Sequence, residues 1–191
     1  MSDTEIEIKV GVEKTEKLLE FLEGEGKFLG ERQQKDEYFT PAHRDFLSVR
    51  PVKEWLRLRD ADGTCSFTYK NYYYDERGKS SHCDEYEAEM ASLDQSKKMF
   101  GALDFKSVCL VDKVRRSWIY KDYEVSLDSV KGLGDFVEVE YNGKDENVDP
   151  KKVTADMVKF LKNLGCGKIQ RNYVGYPFLL MFPDEADIEE V

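Results

Sequence analysis

In seven separate segments of this 191-residue chain, charged or polar side chains recur at every second position, and this alternation restricts the fold more than any other feature. EIEIK at residues 5–9 alternates two glutamates and a lysine with isoleucines, and WLRLRD at residues 55–60 alternates arginines with leucines. The other segments are SFTYK, CDEYEAEM, VDKVRRSW, VSLDSV and DFVEVEY. Because successive side chains of a β-strand point to opposite faces, each segment predicts a strand with one apolar face and one charged face.

One of these two faces must lie inside the protein. For a single strand the ordinary arrangement buries the apolar residues and leaves the charges in water, and that alternative stays open for each segment taken alone. Seven repeats, with the sign of the charge grouped by strand, are harder to explain as a solvated face. If the strands close into a barrel, the apolar face can pack outward under the three helices, and the charged face then lines the interior. Unpaired buried charge is very costly, so the inner walls would have to pair with each other, with water, or with a charged ligand and a metal.

Three segments carry helical periodicity, at residues 13–23, 92–103 and 150–164; the last has Asp149 to cap it, Pro150 in its first turn and Gly165 to end it. Strand-like runs occupy residues 4–10, 33–39, 54–60, 64–72, 83–90, 110–120, 123–129 and 135–141. Residues 170–182 are expected to supply another strand with an irregular end. These elements predict an α+β fold in one domain over residues 1–182, followed by a solvated acidic tail at residues 183–191.

Charge and rare residue types argue against several classes of protein. A formal net charge of -10 argues against a nucleic-acid-binding surface, while leaving room for a local anion site. His43 and His82 are far apart, which argues against a zinc site of histidine and cysteine. No run approaches the roughly twenty apolar residues of a membrane-spanning helix, and no apolar N-terminal stretch resembles a signal peptide. We therefore expect a cytoplasmic protein with reduced cysteines and no membrane partner.

The EIEIK segment matches the ExExK signature of the CYTH superfamily, which includes the class IV adenylyl cyclases and the thiamine triphosphatases. Further blocks resemble the class IV adenylyl cyclase branch in order along nearly the whole chain: QKDEYFTPAHRDF, EWLRLRD, FTYK, DKVRRSW and LDSVKGLGDFVEVE. The resemblance implies an eight-stranded antiparallel β-barrel with the helices packed outside. Residues 1–182 would form this barrel, a tunnel that holds triphosphates.

The resemblance also implies roles for individual side chains. The metal-binding carboxylates of the family correspond to Glu5, Glu7, Glu87, Asp128, Glu138 and Glu140, whose hard oxygen atoms suit Mg²⁺ or Mn²⁺. Its triphosphate ligands correspond to Lys9, Arg57, Arg59, Lys70, Lys113, Arg115 and Arg171. The expected catalytic residues are Lys9, Arg115 and Asp128. The chain departs from the family pattern RxSYxELL after Arg171, so the resemblance leaves the end of the tunnel undetermined.

The seven cations nearly balance seven carboxylates when Glu85 is counted with the acidic set. A triphosphate of about four negative charges that arrives with about two divalent cations would keep the interior near neutral. This balance supports a metal-nucleotide or metal-polyphosphate ligand over a bare anion. The resemblance of GLGDFVEVE and PAHRDF to the class IV adenylyl cyclase branch implies a metal-dependent enzyme that converts ATP to cyclic AMP and pyrophosphate. Two alternatives stay open, an inorganic or thiamine triphosphatase and a non-catalytic module that binds a nucleotide or polyphosphate. The expected partner is ATP or another triphosphate rather than nucleic acid, and the expected state is a monomer or a homodimer.

The adjacent arginines of VDKVRRSW test the register of the predicted barrel. A period of two puts Arg115 on the inner face with Lys113 and Arg116 on the outer face with Trp118. We predict that Arg115 meets phosphate and that Arg116 lies beside a helix or solvent.

Overall fold

Most of the chain lies in strands and helices, and neighbouring strands run antiparallel. The computed structural model describes residues 4–144, 148–186 and 188–191, and of Thr4, Glu5 and Ser81 it describes the backbone alone. The strands are β1 (Thr4–Glu5), β2 (Glu7–Val12), β3 (Lys27–Pro41), β4 (Glu54–Ala61), β5 (Thr64–Tyr74), β6 (Ser80–Met90), β7 (Phe105–Tyr120), β8 (Tyr123–Val130), β9 (Gly134–Tyr141), β10 (Ile169–Asn172) and β11 (Ile188–Glu190). The helices are α1 (Glu16–Glu25), α2 (Leu93–Ala102), α3 (Pro150–Asn163) and α4 (Gly175–Met181), with short 3₁₀ turns at Phe46–Ser48 and Pro183–Glu185.

The strands form one antiparallel sheet in the order β1-β6-β5-β4-β3-β7-β8-β9-β2-β10-β11. Its two ends meet on the N-terminal strand, because β1 pairs with β6 while the adjoining β2 pairs with β9. Counting β1 and β2 as one strand broken at Ile6, eight strands surround a central space. The predicted eight-stranded antiparallel barrel is confirmed, and β10 and β11 extend the sheet beyond it.

The apolar face of the barrel points outward and is covered by helices. Ile8 and Val10 of β2 are fully buried against Leu18 and Leu22 of α1 and against the apolar stripe of α3, of which Met157 is a member. A second apolar cluster lies between the barrel and α4. The charged residues that alternate with these positions consequently face the interior, as the repeated alternation predicts.

The three predicted helices are confirmed within three residues of their predicted bounds. Local signals explain where two of them begin. The Ser92 hydroxyl caps α2 by accepting a hydrogen bond from Gln95 N, and the Asp149 carboxylate caps α3 by accepting one from Lys151 N. Among the described residues, no helix combines the length and apolar character needed to cross a membrane.

The C-terminal region differs from the expectation of a strand followed by a solvated tail. Only Ile169–Asn172 is a strand, and Gly175–Met181 folds into α4. The Asn172 side-chain oxygen accepts hydrogen bonds from Val174 N and Gly175 N, and Gly175 adopts a φ of 76°, which together turn the chain into the helix. Part of the acidic segment also pairs with β10 as β11. A short apolar run does not reveal by periodicity whether it is a strand or a buried helix, which explains the error.

Candidate functional site

The inner faces of the strands enclose a cavity of about 510 Å³ lined mainly by charged side chains. Its cations are Lys9, Arg32, Arg57, Arg59, Lys70, Lys113 and Arg115. Its carboxylates are Glu7, Asp36, Glu85, Glu87, Glu124, Glu138 and Glu140. Tyr176 and its neighbours at the start of α4 also line the cavity. The interior is therefore a set of facing cations and anions rather than an apolar core.

Asp36 of β3 anchors the two arginines of β4. Its carboxylate is 2% exposed and accepts two hydrogen bonds of 2.6 Å from Nε and Nη2 of Arg59. Arg57 Nη1 lies 3.7 Å from the same carboxylate, and Arg57 Nη2 donates to Thr68 Oγ1 at 2.8 Å. Burial acts to raise the pKa of Asp36, but Arg57 and Arg59 outweigh it and hold this pKa well below its ordinary value. Asp36 is thus charged at neutral pH and fixes both guanidinium groups.

Asp128 of β8 holds the cations of β7 from behind the cavity surface. Its carboxylate accepts two 2.6 Å hydrogen bonds from Nε and Nη2 of Arg115, one of 2.8 Å from Lys113 Nζ and one of 2.9 Å from the Tyr176 hydroxyl. The side chain has no exposed area. Burial opposes ionisation, but Arg115 and Lys113 keep the pKa of Asp128 below its ordinary value. Asp128 therefore supports the two cations and does not line the cavity.

Lys9 lies between two carboxylates on the wall formed by β2 and β9. Its Nζ is 3.0 Å from Glu138 Oε2 and 3.5 Å from Glu7 Oε1. Glu138 Oε1 is in turn 2.8 Å from Arg115 Nη1. Burial would lower the pKa of Lys9, but Glu138 and Glu7 raise it above its ordinary value. Glu140 is the direct cross-strand partner of Glu7, so three carboxylates are grouped along this wall.

Lys113 has a different electrostatic environment from Lys9. It is 4% exposed, and its ammonium group is 5.1 Å from the centre of the Tyr176 ring. Burial and the neighbouring Arg115 guanidinium lower the pKa of Lys113 to about 7, against the opposing attraction of Asp128. Near neutral pH this group can therefore gain or lose a proton when the charge in the cavity changes.

The acidic strand β6 is paired with cations from β4 and β5. Lys70 Nζ lies 3.2 Å from Glu85 Oε2, and Arg57 Nη2 lies 3.3 Å from Glu87 Oε2. The Thr68 hydroxyl donates to the same Glu87 oxygen at 2.7 Å. This wall is thus balanced by short ion pairs.

Three carboxylates among the described cavity residues have the donor chemistry of a divalent-metal site. Glu7, Glu138 and Glu140 offer hard oxygen donors on one wall, which is the donor chemistry of a Mg²⁺ or Mn²⁺ site. Within residues 4–144, 148–186 and 188–191, no group of three or more acidic, histidine or cysteine side chains is arranged to hold a metal by itself. These residues fit an ion whose coordination a ligand completes, and do not fit an ion held by protein alone.

The structure brings most of the predicted site residues into one cavity. The residues that line it are Glu7, Lys9, Arg57, Arg59, Lys70, Glu87, Lys113, Arg115, Glu138 and Glu140. Asp128 is adjacent but buried. Arg171 does not line this cavity; its guanidinium is 4.6 Å from the Tyr173 ring, and it lines a small adjoining pocket that shares Glu7, Lys9, Tyr72 and Gly175 with the cavity. The predicted metal role of Glu5 concerns a side chain outside the described part of the structure.

The predicted register of β7 is confirmed. Arg115 lines the cavity, whereas Arg116 lies on the other face with its guanidinium 5.8 Å from the Trp118 ring.

Sequence reasoning missed several cavity residues, of which Asp36, Arg32, Glu124 and Tyr176 are the most informative. Strand β3 carries polar residues on both faces, so QQKDEYF shows no apolar alternation that would single out Asp36. The one available signal was its spacing, because Arg32 and Asp36 occupy alternate positions with Gln34 between them. Tyr176 belongs to α4, which was not predicted as a helix.

A family model and several known proteins match this chain. The CYTH domain model matches residues 3–173. A protein of Methanocaldococcus jannaschii named "Putative adenylate cyclase" is 36% identical over 174 residues, which cover 89% of this chain and 96% of that protein.

Solved structures give the same fold. A protein of Pyrococcus horikoshii superposes with a TM-score of 0.71 at 29% identity, covering 86% of this chain and 92% of that structure. A Hippeastrum protein described as a "Putative adenylyl cyclase" with a dominant triphosphatase activity superposes with a TM-score of 0.64 over 94% of this chain and 95% of its own, and at 21% identity it shows the fold alone. With its barrel, its charged interior and a match over most of its length, the chain belongs to the CYTH domain family.

Proposed function

We propose that this chain is a metal-dependent enzyme that converts ATP to cyclic AMP and pyrophosphate. The observation that carries the proposal is the cavity of about 510 Å³, in which, among the described residues, seven cations from five strands face seven carboxylates. That volume lies inside the range of roughly 300–1,000 Å³ typical of small-molecule sites. The adenylate cyclase name of the archaeal relative supports the same reaction.

The distribution of the cations favours a ligand with several linked phosphates. Arg57 and Arg59 project from β4, Lys70 from β5, and Lys113 and Arg115 from β7, so the positive groups occupy several walls. A single phosphate would leave most of them paired only with protein carboxylates. A triphosphate can contact several walls at once, with arginine suited to bidentate contacts and lysine to point-charge contacts.

In the proposed reaction, the ribose 3′ oxygen forms a bond to the α-phosphorus while the bond from that phosphorus to the pyrophosphate oxygen breaks. The hydroxyl proton is transferred to solvent, and the electron pair of the broken bond leaves with pyrophosphate. Lys9 and Arg115, which both contact Glu138, are placed to stabilise the negative charge that develops on the phosphoryl oxygens. Arg57 and Arg59, held by Asp36, would orient the phosphate chain.

The residues that would hold a Mg²⁺ or Mn²⁺ ion are Glu7, Glu138 and Glu140. Such an ion supplies neutralisation of phosphate charge and a lower pKa for a bound hydroxyl. The protein would contribute the three carboxylates, and Lys9 would keep their mutual repulsion low before the ion arrives.

A triphosphatase is the second candidate. The same cations could hold the phosphate chain while water attacks the terminal phosphorus. The dominant triphosphatase activity stated for the Hippeastrum protein indicates that this fold can support that reaction. The position of the ligand along the cavity would decide between the two reactions.

Product analysis tests the proposal. The protein is incubated with ATP, inorganic tripolyphosphate or thiamine triphosphate in the presence of Mg²⁺ or Mn²⁺, and the products are separated by chromatography. We expect equimolar cyclic AMP and pyrophosphate from ATP. Orthophosphate and ADP would instead identify a triphosphatase, and binding without turnover would identify a binding module.

Metal dependence is the accompanying control. Glu138→Gln should remove most of the turnover, and excess chelator should abolish the activity of the unaltered protein. Full turnover in excess chelator would refute the metal role.

A further inference from the structure

Two buried aspartates hold an arginine of a neighbouring strand in the same way. Asp36 binds Arg59, and Asp128 binds Arg115, each through Nε and Nη2 at 2.6 Å. Both pairs are direct cross-strand partners in the sheet register. The shared geometry indicates that the two aspartates have the same role, although the sequence identified only Asp128 as a candidate site residue.

In each pair the aspartate also holds a second cation, two residues before the arginine on the same strand. The second cation is Lys113 beside Asp128, at 2.8 Å, and Arg57 beside Asp36, at 3.7 Å. Each aspartate therefore fixes two neighbouring cations of one wall. A guanidinium bound through Nε and Nη2 keeps its Nη1 edge for another partner.

Electrostatics alone gives no reason for Asp36 to line an anion-binding cavity. A carboxylate repels phosphate, and at 2% exposure Asp36 is poorly screened by water. Removing its charge while leaving Arg57 and Arg59 in place would increase the attraction for a triphosphate. A benefit of Asp36 to binding must therefore come from the orientation that it imposes on the two guanidinium groups.

We propose that Asp36 is a positioning residue for the triphosphate. Asp36 holds the guanidinium group of Arg59, and with it that of Arg57, in the orientation that faces the cavity. This inference rests on the proposed function in one respect, that the ligand is a triphosphate. It assigns Asp36 no contact with the reacting atoms. Loss of the orientation would weaken triphosphate binding, whereas loss of the negative charge would strengthen it. A binding measurement therefore separates the two effects.

Calorimetric titration with inorganic tripolyphosphate tests the inference without depending on turnover. Asp36→Asn has nearly the same shape, removes the charge and keeps one acceptor for Arg59. We expect it to weaken tripolyphosphate binding by at least about tenfold. The matched control is Glu37→Gln on the same strand, where the carboxylate lies 2.5 Å from Lys97 Nζ and does not line the cavity. This control should bind like the unaltered protein.

A double-mutant cycle shows whether Asp36 acts through Arg59. Arg59→Lys keeps the charge and removes the planar guanidinium group, so it should weaken tripolyphosphate binding as Asp36→Asn does. Adding Asp36→Asn to Arg59→Lys should weaken binding little further. Asp36→Glu, which restores a carboxylate, should recover part of the affinity. A merely structural role would give additive losses in the cycle.

Several results would overturn the inference. They are equal or tighter tripolyphosphate binding by Asp36→Asn, additive losses of affinity in the double-mutant cycle, and normal binding by Arg59→Lys. If Asp36→Asn does not fold, the Arg59→Lys measurement alone tests the inference. Failure of the unaltered protein to bind tripolyphosphate would remove the proposed function and the inference together. Normal binding by the unaltered protein with an unaffected Asp36→Asn would remove the inference alone.

Discussion

At the scale of single residues, neighbours decide what a buried charge does in this cavity. Lys113 is buried and Lys9 is half-buried, and both have their ammonium groups about 5 Å from the Tyr176 ring, at 5.0 Å for Lys9 and 5.1 Å for Lys113. Lys9 lies between two carboxylates, which raise its pKa, whereas Lys113 shares Asp128 with Arg115 and has its pKa lowered to about 7. One residue type therefore supplies a permanent charge at one position and a titratable charge at another.

The lowered pKa of Lys113 predicts proton uptake on ligand binding. At pH 8 a group of pKa about 7 is mostly neutral, and an arriving triphosphate favours the ammonium form, so the pKa rises and a proton is bound. We expect uptake to be largest between pH 7 and the ordinary lysine value of 10.5, and small at pH 6, where Lys113 is already charged. Calorimetry in buffers of different ionisation enthalpy measures the uptake. Lys113→Gln should abolish it, and uptake that persists in this variant would assign the proton elsewhere.

The two adjacent arginines of β7 should respond differently to truncation. Arg115→Ala removes the partner of Asp128 and Glu138, and breaking such a buried pair costs about 3–5 kcal/mol of the free energy of unfolding. It should also weaken tripolyphosphate binding by at least about tenfold. Arg116→Ala should cost at most about 1 kcal/mol, because the contact that it removes is that of the half-buried Arg116 guanidinium with the Trp118 ring.

Denaturation and tripolyphosphate titration of these two variants provide the measurement. If Arg115→Ala does not fold, Arg115→Lys keeps the charge without the fork and should still bind tripolyphosphate less well. Greater sensitivity at Arg116 would contradict the inward assignment of Arg115.

The sequence predicted the inward charges wherever an apolar residue separated them. Arg57 and Arg59 alternate with leucines, so their shared face was evident. Asp36 lies between two charged residues that face outward, and no pattern of residue types distinguishes its side of the strand. The burial of Asp128 behind Lys113 and Arg115 depends on Tyr176 reaching it from α4, a tertiary contact that no local spacing encodes.

At the scale of secondary-structure elements, the barrel inverts the usual arrangement of a sheet. Its apolar core lies outside the strands, between β2 and the helices α1 and α3, and its polar groups lie inside. We therefore expect stability and the proposed ligand binding to depend on opposite faces of the same strands. Residues at alternate positions should therefore separate the two properties.

Truncation in α3 tests this separation. Leu161 is fully buried in the outer core, so Leu161→Ala should lower the free energy of unfolding by about 2–5 kcal/mol. The folded variant should bind tripolyphosphate with unchanged affinity, because no cavity residue is altered. Urea denaturation and calorimetric titration measure the two quantities, with the exposed neighbour Lys162→Ala as control. A large loss of affinity in Leu161→Ala would show that the outer core and the cavity are coupled.

Periodicity identified the long elements and failed on the short ones. The fourteen residues of α3 carry an apolar stripe and both end signals. The seven residues of α4 are almost all apolar, so they have no polar face to reveal a helical repeat. Their helical conformation follows from the turn that Asn172 and Gly175 impose and from packing against the end of the barrel.

At the scale of the whole molecule, the net charge of -10 conceals a cavity that is nearly balanced. The excess of acid is carried by residues outside the cavity, and the cations that we propose to bind phosphate are concentrated inside it. Such a distribution favours ligands whose charges match the positions of the charged groups in the cavity, and it does not attract anions in general.

A triphosphate should stabilise the folded protein by mass action. Ligand at about one hundred times its dissociation constant adds about 2.7 kcal/mol to the free energy of unfolding. We expect ATP or tripolyphosphate to raise the melting temperature, with a larger rise in the presence of Mg²⁺, and AMP at equal concentration to raise it much less. Thermal denaturation followed by fluorescence provides the comparison. Equal shifts from AMP and ATP would mean that the phosphate chain is not what the cavity recognises.

The shared N-terminal strand also sets the order in which the molecule can be assembled. Thr4 and Glu5 pair with β6, whereas Glu7 pairs with Glu140 of β9. During synthesis, this strand emerges from the ribosome well before the strands with which it pairs. Pairings between residues so distant in sequence form slowly, because closing the long loop costs entropy before the contacts form. We therefore expect the wall that carries Glu7 and Lys9 to form slowly during folding. A nascent chain can close its charged interior only after β9 has been synthesised.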